Sequence, residues 1–258
     1  MNRSWKTVSA ATAFNMLFEY SMRGVNNLAV QPLLPFVLFA VYFSLYTMLE
    51  DLIAKYRLKD YHLLMAAFFF GTAYQFLVSG SALLQPSFLD VDWTSLLFVV
   101  VVWWGNLQSI VTFYFANRIA PRDWNHRLSK KGWATALAVN CLMVLLFQLS
   151  GAIPKPTIPQ LTIMLSIMAL ATVLFKAALP KGFPNSSPAF QHSRFIDFFA
   201  ASTVGIFLFC ATFLTFAPVK AKTSNVNATA TAIVTIWTII LASAVLAYRT
   251  CTKRPIPV

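Results

Sequence analysis

Charged residues are scarce in this sequence: 11% of 258 positions, with eight acidic side chains, three histidines and three cysteines. A soluble domain carries about 25% charge, so a water-soluble globular protein is excluded at the outset. Cys141 and Cys210 lie inside apolar runs and Cys251 follows the last one, so neither a CxxC pair nor a metal-binding spacing exists. Strand-period alternation is missing from the apolar runs, which excludes an outer-membrane barrel. There is no HExxH, DDxxD-type run, nucleophile elbow or P-loop, so no motif announces a metal, a cofactor or a reaction.

Apolar sequence takes the place of charge. The chain is 58% hydrophobic with a mean hydropathy of +0.66, and phenylalanine alone occurs 24 times. Runs able to span a bilayer need roughly 20 residues. They occur at about 28–49, 62–84, 94–116, 132–150, 160–179, 195–217 and 229–248. The expected fold is an all-α integral membrane protein: a seven-transmembrane-helix bundle over 28–248, followed by a tail over 249–258.

Basic residues set the orientation. Fourteen of the 20 fall on one side, in the loops after the first, third and fifth spans and in the tail. The expected C-terminus is therefore cytoplasmic, and seven spans place the N-terminus outside or in a lumen. The +12 net charge reads as topology plus attraction to anionic lipid heads. With no soluble basic domain, nucleic acid is not an expected partner; the bilayer is.

Residues 1–27 start basic, like a signal peptide, but Asn15 and Glu19 interrupt the apolar part and no small-residue cleavage site follows. Glu19 and Arg23 stand four apart and can pair on a helix. The expectation is an amphipathic helix over 7–22 lying in the interface. Were it to span instead, there would be eight helices and the N-terminus would move inside. Cys251 has a juxtamembrane position suited to palmitoylation, and Asn227-Ala228-Thr229 is a sequon on the expected outer side.

The stretch "VVVVWWGNLQSIVTFYFANR" at 99–118 carries Gly105, Asn106, Gln108, Ser109 and Thr112 in the middle of an apolar span. Small and hydroxyl residues let membrane helices approach closely and bond across the gap. A packing face is the first reading. A second gathers the amides of Gln75, Asn106 and Asn140 around a cavity at mid-depth, where an unpaired amide is costly.

Acid–base chemistry would have to come from the cytoplasmic side. Glu50, Asp51, Asp60, Asp123 and Asp197, with His62, His126 and His192, form the candidate proton donors and acceptors. Arg57, Arg122, Arg127 and Arg194 stand among them and suit an anionic head group. The expected function is a membrane-embedded enzyme acting there on a lipid or isoprenoid-like substrate; aromatic walls would also suit a carbocation, as in terpene cyclisation. One rival is a transporter or channel for a small uncharged solute, with Gln75 and Asn106 lining the path. Another is a non-catalytic assembly or scaffold protein.

Overall fold

The computed structural model describes residues 3–84, 87–125, 127–151, 153–179, 193–214 and 226–251. Every regular element among them is helical. Helix α1 is Arg3–Arg23, α2 is the single turn Asn27–Val30, α3 is Leu34–Tyr56 and α4 is Asp60–Leu77. Next comes one continuous rod: α5 (Trp93–Phe98), a π-helical segment (Val99–Val111) and α6 (Thr112–Ile119). The remaining elements are α7 (Lys130–Ser150), α8 (Ile158–Ala178), α9 (Arg194–Phe209) running into a π turn (Cys210–Leu214), and α10 (Ala228–Cys251).

Helix ends follow local chemistry. The Ser129 hydroxyl accepts from Gly132 N–H and the Asp92 carboxylate from Ser95 N–H, which caps α7 and α5. Gln160 reaches back to the Thr157 N–H at 2.8 Å to cap α8, with Pro159 in its first turn. Gly24 and Gly151 take left-handed backbone (φ +82° and +68°) where α1 and α7 stop. The fourth helix ends at Leu77, short of the expected 84, because Gly80 turns left-handed into a 3-10 turn.

Among the described residues, six helices are long and apolar enough to cross a membrane: α3, the α5–π–α6 rod, α7, α8, α9 with its π turn, and α10. Neither α1 nor α4 is among them. Yet α4 packs along the π segment and α8, and α1 packs against α3, α6, α9 and α10. The interior position of α1 corrects the interfacial reading. Thr7, Ala11, Thr12 and Asn15 are fully buried, and Phe14 and Phe18 join the same apolar cluster as Ile110, Phe207 and Val234. An interfacial helix leaves its polar face in water, whereas here the polar residues of α1 face other helices.

The long helices alternate in direction between two ends. At the first end, Thr7 donates to Ala120 O, Arg122 meets Glu50, His62 meets Ala178 O and Arg118 meets Asp197. At the second, Val25 N–H donates to Ala211 O, Asn227 N–H to Met22 O and Gln148 to Leu77 O. The start of α1 thus shares an end with the basic 120–129 loop. Its Lys6 is exposed there. Asn227 is engaged on both sides of its amide, accepting from Ala230 N–H and donating to Leu214 O, so the sequon asparagine serves as a helix cap.

The rod and α3 form the centre, while α7 and α8 lie outside. Helix α7 buries only Ala136, and α8 only Gln160, Met164 and Ala171. Their leucine-rich outer faces suit contact with acyl chains.

Candidate functional site

Two adjacent carboxylates at the end of α3 hold the loop that follows α6. Glu50 receives a two-pronged guanidinium from Arg122 at 2.7 and 2.8 Å, and both side chains are within a few per cent of full burial. Arg122 also lies 5.4 Å over the Phe113 ring and 5.1 Å over Trp124, whose ring is shared by Arg57 at 4.6 Å. Asp51 accepts from Leu128 N–H at 2.6 Å and from Trp133 Nε1–H at 2.8 Å. Burial first, and then the like charge of Arg127, lowers the Arg57 pKa from its ordinary value. Arg57 itself is a left-handed C-cap (φ +52°), a strained conformation for a residue with a Cβ.

This clamp shapes two hollows flanking the contact between α3 and α7. One is a cleft of about 590 Å³ walled by Phe39, Phe43, Ala136 and Val139, with Ser44, Thr47 and Thr135 along it. Its mouth is marked by Trp5, Arg127 and Ser129. The other, about 660 Å³, lies across α7 and brings Lys55, Arg127 and Lys130 around Asp51 and Trp133. Arg127 and Leu128 line both, so the two hollows meet at the loop. Only Ala136 of α7 is buried, so the cleft is open along its apolar side.

The remaining sequence candidates are dispersed. Asp197 pairs with Arg118 at 3.0 Å and accepts from Tyr114 at 3.1 Å, at the start of α9. His62 is buried with both ring nitrogens in use: Nδ1 accepts from Lys59 N–H at 2.9 Å, and Nε2 then carries the proton toward Ala178 O at 2.8 Å. Asp123 caps Asn125 N–H, and Arg194 is exposed. His126 and His192 lie outside the described residues, as does the side chain of Asp60. The three amides do not meet in one site. Gln75 is bound to the hydroxyls of Ser79 and Ser81, and Asn140 to Ser44 and Ala136 O, while Asn106 is half-buried on the π segment. Among the described residues no group of three His, Cys, Asp or Glu gathers in a way that could hold a metal ion.

A second polar constellation, missed from sequence, crosses the bundle interior nearer the far end. Asn15 and Glu19 of α1 face Tyr42 and Tyr46 of α3 and Gln108 and Thr112 of the rod. Tyr42 donates to Glu19 at 2.5 Å and accepts from Gln108 Nε2 at 3.1 Å. Arg23 closes the other side of Glu19 at 3.0 Å, and Asn15 Nδ2 donates to Thr112 Oγ1 at 2.9 Å. The helix register explains part of this. Thr112 N–H is shared between Leu107 O, five residues back, and Ser109 O, three back, and skips Gln108 O four back. The Gln108 carbonyl is therefore passed over where π gives way to α, and Tyr46 Oη–H donates to it at 3.0 Å. Hydroxyls follow the same wide register: Ser109 bonds Trp104 O and Thr112 bonds Leu107 O, each at 2.7 Å.

The sequence signal for this layer was the polar spacing Asn15, Glu19, Arg23, which the interfacial reading assigned to water. Ionisable groups inside a bundle mark functional sites more often than not. No family model, curated protein or solved structure matches this chain.

Proposed function

We propose that this multi-pass membrane protein takes a lipid- or isoprenoid-like amphipath with an anionic head into the cleft between α3 and α7 and acts on it at the basic end. The observation that carries the reading is the cleft itself. Its volume of about 590 Å³ falls within the roughly 300–1,000 Å³ of small-molecule sites, its walls are aromatic and aliphatic, and its mouth is cationic. An apolar chain would lie along Phe39, Phe43 and Val139 with its head at Arg127, where Lys55 and Lys130 add positive charge. Asp51 is the carboxylate facing that charge, and so the first candidate for proton transfer at the head. Glu50 is committed to Arg122 and shapes the mouth instead.

In this reading eight helices cross, α1 and α4 included, and both ends of the bundle's chain face the cytoplasm. The basic bias supports that side, since Arg3 and Lys6 join the fourteen already counted, sixteen of 20. The dispersal of Gln75, Asn106 and Asn140 weighs against a central solute path.

The test is lipid retention followed by turnover. Protein purified in mild detergent is extracted and its bound amphipaths identified by mass spectrometry, then offered prenyl diphosphate and phosphatidic acid as representative substrates. Val139→Trp, which fills the cleft, and Arg127→Glu, which reverses its mouth, should each deplete the retained anionic amphipath at least five-fold. Asp51→Asn should retain it and lose turnover. Equal retention by wild type and both cleft variants would remove the proposal.

A further inference from the structure

The polar layer at the π–α junction has two acceptors that no donor among the described residues serves: Asn15 Oδ1 and Gln108 Oε1, on residues 0% and 4% exposed. Neither amide can be turned around to solve this. Asn15 Nδ2 already donates to Ala11 O and Thr112 Oγ1, and the Thr112 hydroxyl spends its proton on Leu107 O. Gln108 Nε2 donates to the Tyr42 hydroxyl, whose own proton goes to Glu19. Both orientations are therefore fixed by donor–acceptor matching.

We propose that this layer is a binding site for a small neutral hydrogen-bond donor, filled by water, which bridges the two amide oxygens across α1 and the rod. Proximity supports a shared ligand. Asn15 meets Thr112 directly, Thr112 stands one turn beyond Gln108, and Glu19 stands one turn beyond Asn15 and joins Gln108 through the single Tyr42 oxygen. Charge selects the class. Glu19 and Arg23 cancel, so the layer has no net charge to hold a cation, while two acceptors match the two O–H groups of one water. Access is from the far end, where the Arg23 side chain is 23% exposed. The bridge completes a hydrogen-bonded chain of Arg23, Glu19, Tyr42, Gln108, water, Asn15 and Thr112, pinning the residue at which the backbone changes register. This inference is independent of the cleft reading.

Radiolytic hydroxyl labelling of the full chain in lipid nanodiscs tests it, because radicals made from an ordered internal water modify the ring beside it despite burial. Tyr42 should be modified at least five-fold faster than Phe76, an equally buried ring in an apolar cluster. Gln108→Leu should bring Tyr42 down to the Phe76 rate. Asn15→Leu should do the same, and it decides the matter where the first variant does not fold. Tyr42 labelling at the Phe76 rate in the wild type overturns the proposal. So does unchanged labelling in a folded variant.

Discussion

Removing Arg122 should be among the most damaging single changes in this protein. Its guanidinium makes two bonds to Glu50, at 2.7 and 2.8 Å, with side-chain exposures of 1% and 4%. Arg122→Leu leaves a carboxylate buried without its partner, which costs about 3–5 kcal/mol. At about 1.4 kcal/mol per factor of ten, that is roughly 140- to 4,000-fold in the folding equilibrium. The double variant Glu50→Leu/Arg122→Leu removes the stranded charge as well, and should recover most of the loss. Unfolding by SDS in mixed micelles, followed by tryptophan fluorescence, reads both. A cost below about 1 kcal/mol for Arg122→Leu would refute the reasoning. A double variant as damaged as the two singles summed would refute it equally, since the side chains would then be acting independently.

Three further outcomes are expected. Gly71→Ala should cost about 1–3 kcal/mol, because its Cβ would stand 2.9 Å from Trp104 Cγ where α4 crosses the π segment; unchanged unfolding would mean the helices are not that close. Asp197→Asn should change stability by less than about 1 kcal/mol, since its pair with Arg118 is partly open to solvent; loss of turnover with retained fold would mark Asp197 as catalytic. His62→Leu should cost about 1–3 kcal/mol and lower the protease resistance of the α3–α4 connection, through the loss of its bonds to Lys59 N–H and Ala178 O; resistance equal to wild type would count against the capping role.

The membrane class and six of the seven expected spans were legible because apolar runs of this length leave few alternatives to a spanning helix. The π segment was not. Val99 to Val102 and the two tryptophans promise only an apolar helix, and the wide register rests on tertiary contacts such as Tyr46 to the Gln108 carbonyl. Helix α1 was misplaced for a definite reason. Composition marks polar residues as water-facing, yet Thr7, Asn15 and Glu19 line up toward partners contributed by residues 23 to 113 positions away, which no local pattern displays. The same blindness affected the candidate site. Glu50, Asp51 and Arg122 were grouped at the basic end by sequence, but what each does there depends on its neighbours, and the structure shows them holding the loop that follows α6.

The placement of α1 has a consequence that sidedness labelling can decide. Thr7 bonds the Ala120 carbonyl, so Lys6 and Asn125 lie at one end of the bundle. Met22 O receives Asn227 N–H and Val25 N–H reaches Ala211 O, so Val25 lies at the other end, with the connection between α7 and α8. A helix of 21 residues is about 31 Å long at 1.5 Å per residue, enough for the hydrocarbon core. Its polar groups need not meet lipid, because they bond inside the bundle. In a background lacking the native cysteines, Lys6→Cys and Asn125→Cys should therefore react with a membrane-impermeant thiol reagent from the same face. Val25→Cys and Lys155→Cys should react only from the opposite one. The seven-span alternative makes a different prediction for one pair, since an N-terminal segment lying outside would label Lys6→Cys together with Lys155→Cys. That pattern would remove α1 from the interior, and with it the Glu19–Tyr42–Gln108 layer.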